Sequence, residues 1–420
     1  MTPAAPPPFM RILHVSSWFQ PELGYSEYHL PTAQQRLGHT VAVLTSDRFF
    51  PFPNYDATVG PVLGARVVGR GRRTEHGLST YRLPVAFEYR HHLWLREFDA
   101  AVRDFHPSIV HVYQPFTLPT IQAALAKPRH GFGLVVSSSM EREVFHPQSF
   151  ARRAYYRLFS RFAAPLLRRR VDVFTAVGVG ARAVVTETLG LPPERVLVFP
   201  LGADSDRFQF DPAGRAEVRR ALGIDDDMPL VIYAGKLIPR KDVHILIEAL
   251  AHVDSSVTIG VLLVGNGAPE YEARLRGLAA ATQRPVFFRP AVPNAQLPRF
   301  FSAADIAVWP SESSNAALEA ALVGLPLVVS ESPATSHYIA KDNGLTFPRG
   351  NGPALAQCVE RLARSRALRQ EMGQRGRAYV GGQLSWDAAA ARAVRLYETA
   401  LTCHPTPGGS RPSAGDGLLT

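Results

Sequence analysis

Short apolar runs alternate with stretches of helical periodicity along most of the chain. One set of runs lies at 11–16, 41–45, 109–113, 133–137, 172–176 and 196–199, and a second at 230–234, 259–264, 285–288, 306–309 and 327–330. Runs this short and this uniformly apolar predict strands buried on both faces, joined by helical crossovers into parallel sheets, so the fold class is α/β. The interval 48–91 is less regular. VVGRGRRTEHGLSTYRLP reads there as a hairpin-like insertion, and a helix is predicted over His91 to Phe105. At 420 residues the chain exceeds what one core supports, so two domains are expected. Asp211-Pro212 and the stretch Ile224 to Pro229 punctuate a polar helix and place the division near 204–228. The predicted domains are 9–204 and 205–384, with a last helix at 385–402.

The most informative stretch is VWPSESSNAALEAALVGLPLVVS, 308–330, in which a strand enters a Ser/Asn turn and a helix follows. Ser313, Ser314 and Asn315 are all good N-caps, and a helix start behind a parallel strand attracts phosphate. Glu319 falls about one turn later, where a carboxylate can accept both hydroxyls of a ribose. Gly324 and Pro326 stop the helix. Taken alone, the segment is equally an ordinary capped βαβ unit. Its neighbours shift the balance toward a ligand. The strand Leu230 to Ala234 runs into Gly235, Lys236, Leu237, Ile238, Pro239, Arg240 and Lys241, with Asp242 expected to cap the next helix. The strand at 259–264 ends in Gly265-Asn266-Gly267, which permits close backbone approach to a ligand. Open α/β sheets bind ligands at such carboxyl-end loops.

This succession, from 230 to 330, resembles the nucleotide-binding half of glycosyltransferase family 4, with its Gly-Arg-Leu, Lys, Val-Gly-x-Gly and Leu-Glu-Ala…Gly-x-Pro motifs. The amino-terminal half resembles it as well, through RILHVSSWFQPELGYSEYHLPTAQQRLGHTVAVLTSD (11–47) and VDVFTAVGVGARAVVTETLGLPPERVLVFPLGAD (171–204). The resemblance implies GT-B architecture, meaning two doubly wound Rossmann-like domains facing a central cleft, with the last helix crossing back to the first domain. It implies transfer of a hexose or related sugar, with retention, from a nucleotide diphosphate sugar to a glycan or lipid-linked acceptor. The donor side would be formed by Gly24, Lys236, Arg240, Lys241, Gly265, Gly267, Ser313, Ser314, Asn315, Leu318 and Glu319. Lys236, Lys241 and Glu312 would carry the catalytic charge, and Glu27, Tyr28, His111 and Glu141 would serve the acceptor. Lys241 matches the family lysine, whereas Lys236 stands where the family usually has Arg and loses its bidentate fork.

Other departures concern the chemistry. Counting back from Glu319, the family's Glu-x7-Glu motif puts Ser311 at the first Glu, and Glu312 is one position short. Either the turn is a residue shorter and Glu312 still faces the donor sugar, or that role is absent. Tyr25 replaces the second glycine of the family's paired-glycine loop, and Tyr113 replaces the second His after His111. Ser137-Ser138-Ser139-Met140 occupies the place of a further family His. Two rival readings therefore stay open: a GT-B nucleotide-sugar epimerase, and a catalytically silent sugar-nucleotide-binding subunit.

Composition adds limits. A formal charge of +10 favours anionic partners, yet there is no recognisable nucleic-acid module, and nucleic acid is not expected among them. No apolar run approaches the ~20 residues of a membrane span. Cys358 and Cys403 have no metal-ligand spacing and suit a reducing cytoplasm. No metal or cofactor is expected beyond the nucleotide sugar as co-substrate. The end segments 1–8, rich in Pro and Ala, and 404–420, rich in Pro, Gly and Ser, are expected to be disordered. The segment 150–170 interleaves seven arginines with Tyr155, Tyr156, Phe159 and Phe162. Two readings fit it: peripheral contact with the anionic inner face of a membrane, or an ordinary helix with aromatics inward and arginines solvated.

Overall fold

The structure is a computed structural model of the chain that describes residues 9–52, 54–89, 92–140, 150–311, 314–332 and 335–402. These fall into two compact units, one ending at Leu201 and resuming at Asp387, the other running from Gly202 to Trp386.

The first unit contains β1 (Arg11–Val15), β2 (Thr40–Ser46), β3 (Gly71–Glu75), β4 (Leu78–Leu83), β5 (Val85–Tyr89), β6 (His92–Leu95), β7 (Ile109–Tyr113), β8 (Gly133–Ser138), β9 (Val173–Ala176) and β10 (Val196–Val198). Eight of them form one sheet in the order β10-β9-β8-β7-β1-β2-β4-β3. Every neighbouring pair is parallel except β3 with β4. The winding reverses between β1 and β7, which is the switch point of a doubly wound sheet. All five residues of β7 are buried, as covering helices on both faces require.

The second unit holds β11 (Leu230–Ala234), β12 (Gly260–Val264), β13 (Val286–Arg289), β14 (Ile306–Trp309), β15 (Leu327–Ser330) and β16 (Gly344–Phe347). Its order is β13-β12-β11-β14-β15-β16, parallel throughout, with the switch point between β11 and β14. Both sheets are Rossmann-like.

Two sequence expectations change, and one strand was not expected. The hairpin of the 48–91 interval is present as β3 and β4, but it is no insertion: β4 pairs with β2 and is a full member of the main sheet. The helix expected over His91 to Phe105 is a strand followed by a shorter helix, β6 and then Phe98–Phe105. Leu93 and Leu95 are buried while Trp94 between them is 38% exposed, a period of two that belongs to a strand. β16 had no sequence expectation. The last helix, Trp386–Thr402, joins the first unit from Asp387 onward. Its Tyr397 hydroxyl lies 2.6 Å from His111 Nδ1 and accepts from Gln34 Nε2 at 3.0 Å.

Candidate functional site

In the second unit the loops after the two switch-point strands are tied to each other. Ser311, at the end of β14, is buried, and its hydroxyl donates to the Arg240 carbonyl at 2.8 Å. The Ser330 hydroxyl, at the end of β15, donates to the Ser311 carbonyl at 2.8 Å. Beneath the first loop, the Tyr233 hydroxyl donates to the Lys236 carbonyl at 2.9 Å and Trp309 Nε1 to the Ala234 carbonyl at 3.3 Å. The loop is thereby held open at its charged end. Lys236 and Arg240 are exposed, and Lys241 is half-buried in the turn Pro239–Lys241.

Asp242 does not cap the next helix as expected. It takes a left-handed φ of 51° with no side-chain cap bond, and its carboxylate instead receives Arg349 Nε at 3.0 Å. The glycines after β12 also act differently from expectation. A Cβ on Gly265 would sit 1.9 Å from the Gly235 carbonyl oxygen, and one on Gly267 would sit 1.9 Å from that of Leu237. The Leu237 N–H donates to the Asn266 carbonyl at 2.9 Å. The close approach that these glycines permit includes the neighbouring loop, which carries Lys236.

The helix Asn315–Val323 starts at Ser314, whose side chain makes no cap bond, so the Ser314 hydroxyl does not compete for the first-turn N–H groups. Leu318 is 1% exposed and belongs to the core; only its main chain can face a ligand. Glu319 Oε1 accepts from Asn294 Nδ2 at 3.1 Å, and Asn294 Oδ1 accepts from Arg207 at 2.9 Å. Burial is the main cause that raises the Glu319 carboxyl to about 7, with the Asn294 hydrogen bond and the Arg207 charge pulling the other way. Asn294 and Arg207 escaped the sequence reading. Nothing local marks them, because helix packing rather than sequence spacing brings them to Glu319. Glu312 and Ser313 lie outside the described residues.

A carboxyl raised in this way favours its neutral form in the folded chain. Its effect on stability is therefore a loss that grows from the unfolded value near 4.5 up through about 7. The ionised form is the stronger acceptor for ribose hydroxyls. The affinity advantage of a ribonucleotide over its 2′-deoxy form is expected to grow between about pH 6 and pH 8 and to be flat in Glu319→Gln. Paired titrations of the two nucleotides measure this, and titration of the phosphate cancels between them. A pH-independent advantage in the unchanged chain would place the ribose elsewhere.

A larger cleft of the second unit, about 540 Å³, lies at the opposite ends of the strands, beside Pro229, Asp305 and Pro326. Three of its four arginines are committed, Arg215 to Asp305 at 3.1 Å, Arg364 to Glu360 at 2.8 Å and Arg369 to the Leu362 carbonyl at 2.7 Å, while the fourth, Arg366, is exposed.

In the first unit the carboxyl ends of β1 and β7 frame a pocket of about 250 Å³, walled by Trp18, Tyr25, Phe50 and Phe52 and reached by Glu27. Ser17 Oγ, Gln20 Nε2 and Gln114 Oε1 are buried in its lining and have no hydrogen-bond partner among the described residues. Such atoms cost about 1–3 kcal/mol each unless a ligand or water satisfies them. Gln114 has a left-handed φ of 72°, and its carbonyl is held by the Thr117 and Thr120 hydroxyls at 3.1 and 2.7 Å. Burial pushes the Glu27 carboxyl up, against the hydrogen bonds from its own backbone and from Ser26. Sequence reasoning missed Trp18, Gln20 and Gln114, although the switch-point rule applied to the second unit points equally to the loops after β1 and β7.

Two expected acceptor residues are elsewhere. His111 is 2% exposed, its Nε2 2.6 Å from Ser137 Oγ and its Nδ1 on Tyr397. It sits mid-strand in β7, with its ring inside the unit. Tyr28 packs against Phe19, Val43 and Leu78 and does not line the pocket. Gly24 has a φ of 64° and closes the turn Pro21–Leu23, a conformation that favours glycine. Glu141 lies outside the described residues.

The glycosyl transferase 4-like domain model matches residues 27–202, and the glycosyl transferases group 1 model matches 214–379. Together with the two Rossmann-like units, these matches bear out the resemblance to glycosyltransferase family 4. A GDP-mannose-dependent alpha-(1-6)-phosphatidylinositol monomannoside mannosyltransferase of Mycobacterium tuberculosis is 30% identical over 246 residues, covering 55% of this chain and 63% of the relative. A D-inositol 3-phosphate glycosyltransferase of Streptomyces griseus is 30% identical over 236 residues, 53% of this chain and 50% of the relative. The chain thus spans between half and two thirds of the length of these relatives. Among solved structures, Anabaena HepE in complex with UDP superposes with a TM-score of 0.69 at 17% identity, covering 93% of this chain and all of that one. Sucrose-phosphate synthase from Thermosynechococcus elongatus gives 0.66 at 18% identity, over 93% of this chain and 99% of that one. At such identities the likeness is one of fold. Among the described residues no helix is long and apolar enough to cross a membrane.

Proposed function

We propose that this chain transfers a sugar from a nucleoside diphosphate sugar to a hydroxylated glycan or lipid-linked acceptor, with retention at the anomeric carbon. The observation that carries the reading is the pair of stitched switch-point loops in the second unit. Lys236, Arg240 and Lys241 project from one, and the other opens a helix whose capping side chain makes no cap bond, with Glu319 one turn behind. Cations and helix N–H groups would hold the diphosphate and stabilise its charge as the bond to the anomeric carbon breaks. The acceptor oxygen bonds to that carbon, and its proton passes to the oxygen of the departing diphosphate. No metal or cofactor is assigned to this step.

For the acceptor, the apolar walls and unsatisfied polar floor of the first unit's pocket suit a hydroxylated ring, with Glu27 and Gln114 Oε1 accepting from its hydroxyls and Gln20 Nε2 donating to one. Two relatives are named for inositol-bearing substrates, which agrees with a cyclic polyol at this place. The donor base and sugar are not assigned; the mannosyltransferase relative is named for GDP-mannose. The inner face of the membrane is the proposed location.

One observation favours a silent binding subunit instead. Ser311, at the position of the family's first Glu, is consumed by the Arg240 carbonyl, and His111 is enclosed. The two readings separate on turnover. Incubation with a panel of nucleotide sugars and polyol or glycolipid acceptors is expected to give acceptor-dependent release of nucleoside diphosphate. Tight nucleotide binding with no release across the panel supports the silent subunit.

A further inference from the structure

Two exposed features of the first unit lie side by side and take no part in sugar transfer as proposed. In the hairpin of β5 and β6, Phe87 pairs with Trp94 and Tyr89 with His92, so these four side chains share one face. Phe87 and Tyr89 are 55% and 58% exposed, and Trp94 is 38% exposed. The fourth member, His92, places its ring centre 4.2 Å from that of Tyr155. Tyr155 belongs to the helix Phe150–Leu158, which continues through Phe159–Ala163 into Ala164–Arg170.

That long helical segment has one face inward, with Phe159, Ala164 and Leu167 buried. Its outward face carries exposed Arg153, Arg157, Arg161, Arg168 and Arg169, and between them Leu158 and Phe162 at 58% and 73% exposure. From 150 to 170 the sequence has seven arginines and no Asp or Glu. A merely solvated helix accounts for the cations but not for two large apolar side chains held in water among them. A nucleic acid accounts for the cations and the aromatics, but Leu158 has no stacking surface to offer a base. A membrane interface uses all of them: arginine for headgroup phosphate, Leu and Phe for the acyl boundary, Trp and Tyr at headgroup level.

We propose that this combined face, the outward side of 153–169 with the aromatic side of the β5–β6 hairpin, docks on an anionic lipid surface. Vesicle docking does not depend on the transferase reading, and loss of either leaves the other standing. The test is co-sedimentation of the full chain with phosphatidylglycerol-containing vesicles and with pure phosphatidylcholine vesicles. Binding is expected to the first only. It should fall steeply as salt shortens the screening length from ~10 Å at 0.1 M to ~3 Å at 1 M. The triple change R157Q/R161Q/R169Q is expected to weaken it roughly a hundredfold. L158S/F162S and F87S/W94S should each weaken it about tenfold, with melting unchanged for the arginine and L158S/F162S variants, whose positions are the more exposed. Absence of binding to anionic vesicles at low salt would overturn the proposal. So would salt-sensitive capture of single-stranded RNA together with vesicle binding indifferent to L158S/F162S. Indifference to F87S/W94S alone would remove the hairpin from the surface.

Discussion

Alanine at Gly267 is expected to cost the second unit on the order of 3 kcal/mol and to abolish nucleotide binding, because the added methyl must displace a backbone carbonyl. The new Cβ would lie 1.9 Å from the Leu237 oxygen and 2.9 Å from the Leu237 Cβ. Neither is the far end of a flexible side chain. The loop Gly235–Lys241 must then lift away from Asn266, losing the 2.9 Å bond from the Leu237 N–H and shifting Lys236. A drop of about 3 kcal/mol corresponds to several degrees in Tm for a unit of this size. Calorimetry and a nucleoside diphosphate titration measure both consequences. A variant that melts and binds like the unchanged chain would show that this loop pairing is not what positions the cations.

The lysines are expected to separate binding from folding. Lys241→Ala removes a charge-assisted contact to the diphosphate, so affinity should fall roughly ten- to a hundredfold, equivalent to ~1.5–3 kcal/mol. Lys236→Ala should do the same. Lys236 is exposed and Lys241 half-buried, and neither change leaves a large cavity, so Tm should move little. The loss should be much smaller for the matching nucleoside monophosphate. Equal loss for both ligands would mean that the lysines do not read the second phosphate.

Strand placement was legible wherever a strand is covered on both faces. Runs such as Ile109–Tyr113 and Leu230–Ala234 are apolar throughout and have no competing period. Legibility failed where one face is wet. β6 reads as Leu-Trp-Leu with only the leucines buried, and in β3 no residue is fully buried. β16 is short and mostly half-buried, so GLTF carried little signal.

The site shows the same division. The turn chemistry at Gly235 and Gly324 and the placement of Glu319 behind a strand-to-helix turn follow from local sequence. The bonds that fix the site join residues far apart along the chain, as in Ser311 to Arg240 and Glu319 to Asn294 to Arg207. Sheet order creates the first pair and helix packing the second, and no spacing rule reveals either. His111 illustrates the limit: its strand was correctly placed, but the direction of its ring depended on register and on Tyr397, 286 residues away.

The central claim is that the second unit seats a nucleoside diphosphate at the carboxyl ends of β11 and β14. Thermal unfolding of the unchanged chain in the presence of uridine, guanosine and adenosine diphosphates and monophosphates tests it most directly. A ligand at a hundred times its Kd stabilises by ~2.7 kcal/mol, which is several degrees for a unit of this size. One diphosphate is predicted to raise Tm by that amount, with the matching monophosphate doing much less. No shift with any of the diphosphates at millimolar concentration would contradict the account.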